Sequence, residues 1–273
     1  MVISGCSPTG ESPTVPDPVP PTEPAADPER PDDLVNGEVT WIADGDTIRV
    51  DTESGVVEVR FLGVNAPEKA ECYGDESLQY VVGELEGETI GLELSGEDQF
   101  GRTLASVWLK DELINLNLVS RGYAIALTPG VSDPYGSILV AAEQHAYDSG
   151  KGLWSPAACG GAGEPPDVRF DVDASQFDPA GPDDDVLDDE YIVIVNDGTE
   201  DVRLHGWILR DESSRNRLVF DGSVTLARGE RLTISSGCST DPGWCGATSI
   251  WNNGGDMALL LDDDGRVVAR ARY

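Results

Sequence analysis

The run "VTWIADGDTIRVDTESGVVEVRFLG", residues 39–63, alternates apolar and polar side chains in short pieces broken by Asp-Gly and Ser-Gly. A period of two places apolar residues on one face of a strand, and pieces this short joined by turn residues build antiparallel sheet. In "VVEVRFL", Val57, Val59 and Phe61 share a face opposite Glu58 and Arg60. Three strands are predicted, over "GEVTWIA", "TIRVD" and "VVEVRFLG". Helical spacing follows in "GDESLQYVVGELEG", where Leu78, Val81, Val82 and Leu85 recur. Two more strands fit "TIGLEL" and "LASVWL". A second helix fits "LINLNLVSRG", stopped by Gly122, and a third fits "GSILVAAEQHAYDSGKG". Five strands with helices after the third and fifth predict a small closed barrel flanked by helices.

Residues 161–190 are rich in Gly, Pro and Asp, with one strand-like piece in "DVRFDVDAS". Beyond them the pattern is all-β. "YIVIVN", "VRLHGWIL", "RLVF", "RLTIS", "MALLLD" and "RVVARARY" are short strands at sandwich-like spacing.

The charge is lopsided, with 18 Lys+Arg against 51 Asp+Glu and a net of −33. Residues 37–160 hold 7 bases and 21 acids, and residues 191–273 hold 9 and 12. No segment is basic, which excludes the generic electrostatic footprint of a nucleic-acid binder. A polyanion partner must be held by a few local arginines, with a divalent cation offsetting the field. No run of about 18 apolar residues is present, so no spanning helix is predicted.

At the start, "VISGCS" resembles a bacterial lipobox whose cysteine, here Cys6, becomes the lipidated first mature residue. The positive and apolar stretches of an export signal do not precede it. Proline-rich, acidic residues 7–33 fit an extended tether. Of the other cysteines, Cys238 and Cys245 flank the turn-rich "STDPGW", which leaves Cys72 to pair with Cys159. Neither CxxC pairs nor histidine clusters favour zinc.

"ADGDT" (43–47) read alone is a hairpin turn, because Asp-Gly between alternating hydrophobics is a strong two-residue turn signal. Its company changes the reading. "VRFLGVNAPE" (59–68) and "DQFGRTLASVWL" (98–109) follow in the same half. The three motifs, in this order, resemble the staphylococcal-nuclease-like (thermonuclease) family. "ECYGDES", "NLNLVSRGYA" and "AAEQHAYDSGKGLWS" extend the resemblance over residues 37–160.

The resemblance implies an OB-fold barrel with about three helices and calcium-dependent hydrolysis of DNA or RNA to 3′-phosphate and 5′-hydroxyl ends. It makes Asp46 the principal calcium ligand, with Asp44 behind it and Asn65 and the Ala66 carbonyl completing the protein's share. Calcium takes about six to eight oxygens, so water and substrate phosphate must supply the rest. Glu68 matches the general base, and Arg60 and Arg102 match the guanidinium pair that grips the scissile phosphate. Two departures count. Asn65 stands where the family usually has aspartate, which removes a negative charge and weakens calcium binding. Phe100 replaces a tyrosine, and only Tyr135 is at hand for a second one.

The second half resembles the lamin-tail domain over residues 166–273, through "LHGWILRDESSRNRLVF", "WNNGGD" and "DDDG". That resemblance implies an immunoglobulin-like β-sandwich with Trp207 and Trp251 packed inside or at an edge. "WNNGGD" and "DDDG" read as turns. The domain offers no nucleophile–base pair, so a binding or positioning role is expected. The organisation expected is residues 1–36 as lipobox-like start and tether, 37–160 as nuclease barrel, 161–165 as linker and 166–273 as lamin-tail domain. The whole reads as a monomeric, exported or cell-surface nuclease anchored at Cys6. The alternative is a catalytically weak or inactive OB-fold module that binds nucleic acid at the surface.

Overall fold

Short alternating strands close a sheet only if each turn lets the chain double back, and Gly-containing turns do this along residues 43–63. The computed structural model describes residues 27–130, 132–161, 163–182, 185–213 and 215–273. Cys6 and most of the tether lie outside them. β1 (Val35–Ile42), β2 (Thr47–Thr52) and β3 (Gly55–Phe61) form an antiparallel meander, with Ile48 opposite Val59 and Val50 opposite Val57. β4 (Val64–Asn65) follows, then α1 (Gly74–Leu85). β5 (Thr89–Glu97) pairs with β1, and β6 (Thr103–Leu109) pairs with β5. Parallel pairing of β3 with β6, Phe61 opposite Ala105, closes five strands into a barrel.

The inward faces of Ile48, Val50, Val59, Phe61, Leu92 and Val107 fill the barrel. α1 covers one end through Val81 and Leu85, and Asp75 and Glu76 in its first turn complement the helix dipole. β7 (Glu112–Leu113) leads into α2 (Ile114–Ser120). Gly122 ends that helix at φ +72°, where a Cβ would lie 2.3 Å from the Lys151 carbonyl. β8 (Ile125–Ala126) pairs with β4, and α3 (Gly136–Asp148) packs on α2. The described residues hold no helix long and apolar enough to cross a membrane.

Beyond a turn-rich segment, β9 (Val168–Phe170), β10 (Tyr191–Asn196) and β15 (Arg231–Ser235) form one sheet. β12 (Ile208–Arg210), β13 (Arg217–Val219), β16 (Met257–Leu261) and β17 (Val267–Arg272) form a second, and β11 (Val202–Arg203) pairs with β14 (Thr225–Leu226). "VRLHGWIL", expected as one strand, is two. The chain turns at Leu204–Trp207, with Gly206 at φ +79°. Trp251, Phe220, Ile194 and Leu260 lie between the sheets, and Trp207 is buried with them. "DDDG" is a turn, with the Gly265 N–H donating to the Asp262 carbonyl at 3.0 Å. Disulfides join Cys72 to Cys159 and Cys238 to Cys245.

The run "MALLL" of β16 is buried at every position. Its two faces serve two cores. Ala258 and Leu260 point into the sandwich, while Met257, Leu259 and Leu261 pack with Ile125, Ala146, Leu153 and Trp154 of the barrel half. Alternation therefore binds the halves together. Beside this seam lies Glu143 of α3, fully buried, which accepts from Arg270 Nη1 at 3.0 Å, Arg272 Nη2 at 3.1 Å and the Ala126 N–H at 3.0 Å. Arg270 also stands 4.0 Å from the centre of the Tyr147 ring.

Removing one partner of a buried ion pair costs about 3–5 kcal/mol. Glu143→Ala is expected to lower urea stability by that order, and a change under about 0.5 kcal/mol would refute the seam's weight. A second test is pH. Burial, with Glu212 and Asp211 nearby, pushes the Asp256 carboxyl from 3.8 up to about 7. Folding thus favours the protonated form, so its stabilisation is full below 3.8 and lost as pH rises towards 7. Asp256→Asn should lack this component when unfolding is followed across that window.

Candidate active site

The loop between β1 and β2 is shaped by its own side chains. Asp44 Oδ1 accepts the Asp46 N–H at 3.0 Å, an Asx turn that swings Asp46 inward. Gly45 makes room: a Cβ there would lie 1.9 Å from Ser77 Oγ and 2.7 Å from Ala66 Cβ. The loop thus presses onto α1 and the β4 segment, and Asp46 is only 5 % exposed.

Asp46 gathers the neighbouring elements. Its Oδ2 accepts the Ala66 N–H at 2.6 Å and lies 3.1 Å from Arg60 Nη2, while Oδ1 accepts the Thr47 hydroxyl at 3.1 Å. Burial pushes this carboxyl up to about 6, opposed by Arg60 and assisted by Asp44. Arg60, at the end of β3, donates from Nη1 to the carbonyls of Phe61 (2.9 Å) and Val64 (2.6 Å). Its Nη2 also donates to Asn65 Oδ1 at 2.9 Å. One guanidinium nitrogen therefore bridges Asp46 and Asn65.

Arg102 is positioned from the other side. In the turn after β5, Asp98 accepts the backbone N–H groups of Phe100 (2.8 Å) and Arg102 (3.0 Å) and the Arg102 Nε at 2.7 Å. Desolvation works against the ionised Asp98, yet these bonds hold its carboxyl below the usual range. Phe100 is 61 % exposed beside Arg102.

Asp44, Asp46, Arg60, Asn65, Glu68 and Arg102 all line one cleft of about 680 Å³. Ala66 is not among the lining residues: it is buried, and its N–H rather than its carbonyl meets Asp46, while Glu68 is exposed at the edge of the cleft. Tyr135 is elsewhere: its hydroxyl donates to Glu93 at 2.8 Å and its ring meets Trp108 edge-on. Another cavity, of about 230 Å³, lies at the domain seam against Glu71, Ile208 and Leu259 and holds none of these residues.

The sequence reading missed a wall. Glu212, Ser213, Arg215 and Asn252 of the second half line the same cleft. Asn65 Nδ2 donates to the Glu212 carbonyl at 3.0 Å, which orients its amide with Oδ1 towards Arg60 and Asp46. Glu212 is itself held by the Thr128 N–H (3.0 Å) and hydroxyl (2.8 Å) and by Arg272. The density of arginines in residues 191–273 hinted at such a contribution.

A closed five-strand barrel with this acid–guanidinium cleft is the architecture that the sequence motifs implied. The family model described as staphylococcal nuclease homologue matches residues 58–156, and the one described as lamin tail domain matches residues 167–273. The thermonuclease of Staphylococcus intermedius is 33% identical over 124 residues, covering 42% of this chain and 74% of that protein. Protein ParB of Escherichia coli is 33% identical over 132 residues, covering 44% and 73%. An uncharacterized endonuclease of Haemophilus influenzae is 33% identical over 118 residues, covering 43% and 65%. The chain belongs to the staphylococcal nuclease family, and a lamin tail domain follows its nuclease barrel.

Asn65→Asp would set a carboxylate against the Glu212 carbonyl. Leaving that acceptor unpaired costs about 1–3 kcal/mol. The variant is expected to unfold at correspondingly lower urea; an unchanged midpoint would mean that the Asn65–Glu212 bond is not part of the seam.

Proposed function

We propose that this protein is a calcium-dependent nuclease that hydrolyses phosphodiester bonds of DNA or RNA to 3′-phosphate products, at the cell surface or outside the cell. The observation that carries this reading is that Asp46, Arg60, Glu68 and Arg102, drawn from three separated segments, face one cleft. The residues that would hold calcium are Asp46, Asn65 and the Ala66 carbonyl, with Asp44 bracing the loop. They are hard oxygen donors, as calcium requires. The fit has a second support: Arg60 Nη2 already sits 3.1 and 2.9 Å from the Asp46 and Asn65 oxygens, so positive charge is favoured between them. Bound calcium would supply charge to offset a polyanion in an acidic domain and would favour ionised Asp46.

The chain's own residues do the rest. Glu68, exposed at the edge of the cleft, takes the proton of the attacking water. The water oxygen bonds to phosphorus, the bond to the 5′ oxygen breaks, and that oxygen leaves with a proton from solvent. Arg60 and Arg102 match the negative charge gained by the phosphoryl oxygens with planar, bidentate forks. Arg60 makes four hydrogen-bond or ion contacts, so gripping phosphate requires Nη2 to leave Asp46 and Asn65. Asn65 in place of a carboxylate weakens the calcium site towards the millimolar range of extracellular modules, about 10⁻⁴–10⁻³ M. That suits an exported protein, as do the two disulfides.

The test is cleavage of end-labelled single-stranded DNA by the full chain in millimolar calcium. Removal of a general base costs about 10²–10⁴-fold in rate. Glu68→Gln is expected to lose that much, chelation of calcium to stop cleavage, and the 3′ ends of the products to accept label only after phosphatase treatment. A wild-type chain that binds the strand without cutting it would make the protein a binding module instead.

A further inference from the structure

The loop that joins β12 to β13 leaves the sandwich and enters the cleft of the other half. Its place is set by its own bonds. Asp211 accepts the Ser213 hydroxyl at 2.8 Å and Asn216 Nδ2 at 2.8 Å, and the Glu212 carboxylate is fixed to Thr128. These anchors carry Arg215 to 4.7 Å from the centre of the exposed Phe100 ring, whose other guanidinium neighbour is Arg102 at 5.6 Å.

The charges of the cleft are unequally committed. Arg60 is paired with Asp46 and Arg102 with Asp98. Among the described residues the Arg215 guanidinium makes no ion pair, and the side chain is exposed. Arg215 also lines a groove of about 360 Å³ that continues past Leu62, Gly63 and Phe100. A strand whose scissile phosphate rests on Arg102 must pass this ring, and an exposed aromatic is a stacking platform for a base.

We infer that the lamin tail domain completes the substrate cleft, with Arg215 binding the backbone phosphate next to the scissile one on a single-stranded polynucleotide. The inference rests on the nuclease reading and adds to it. Beside a barrel half of 7 bases and 21 acids, one cation that makes no ion pair among the described residues changes affinity measurably. It also gives the appended domain a role in the reaction without any catalytic group of its own.

The experiment uses the full chain. In a Glu68→Gln background, binding of a fluorescent single-stranded oligonucleotide is followed by anisotropy at several salt concentrations in saturating calcium. Arg215→Ala should weaken binding about tenfold and reduce the slope of log K against log salt by about 0.7, the contribution of one single-strand phosphate. Arg215→Lys should keep the slope. In the otherwise wild-type enzyme, Arg215→Ala should slow cleavage of the oligonucleotide but not of a dinucleoside monophosphate, which has no second phosphate to bind. Equal affinity and slope would overturn the inference. So would tighter binding, which would mean that the loop obstructs the cleft, or an equal loss on the dinucleoside monophosphate. If the parent binds no strand and the wild type cuts none, the nuclease reading falls and this inference with it.

Discussion

Asp46 sits in a nearly dry position with a carboxyl raised to about 6, and it keeps that place because four groups from three segments converge on it. Thr47 and the Ala66 N–H hold its two oxygens, Arg60 offsets its charge, and Asp44 fixes its backbone. A buried carboxylate is tolerated only with such partners. The same convergence forces β3, β4 and the β1–β2 loop together at one end of the barrel. Site and barrel closure are therefore one constraint: the Asp46 carbonyl also accepts the Phe61 N–H at 2.9 Å, tying the loop to the strand that closes on β6.

The second half builds outward from this point. β16 presents one face to each core, and Glu143 with Arg270 and Arg272 fixes the approach. Given that approach, the Glu212 carbonyl meets Asn65 and Arg215 meets Phe100. The amide at position 65 acquires a structural reason here. An aspartate would gain charge for a cation but lose the donor that the Glu212 carbonyl needs. In the proposed nuclease, calcium affinity and the domain contact would compete for this one side chain.

Much of this was legible in the sequence where the signal is local. The alternation of "VVEVRFL" and the turns around Gly45 and Gly55 set strands and register, and the three motifs marked Asp46, Arg60, Glu68 and Arg102 for one cleft. "VRLHGWIL" reads as one strand because nothing in its alternation reveals the turn at Leu204–Trp207. The role of the β12–β13 loop was hidden for a deeper reason. Its residues are polar and turn-like, and their meaning depends on a docking set by residues elsewhere in the chain. One signal did exist: "MALLL" is apolar on both faces, as a strand covered on both sides must be.

The most direct measurement is a calorimetric titration of calcium into the full chain and into Asp46→Ala. The account predicts that the wild type has a site in the range of about 10⁻⁴–10⁻³ M that the substitution removes, leaving only weak binding to the acidic surface. Superimposable isotherms for the two proteins would contradict it, because Asp46 would then hold no cation and the cleft would have lost its centre.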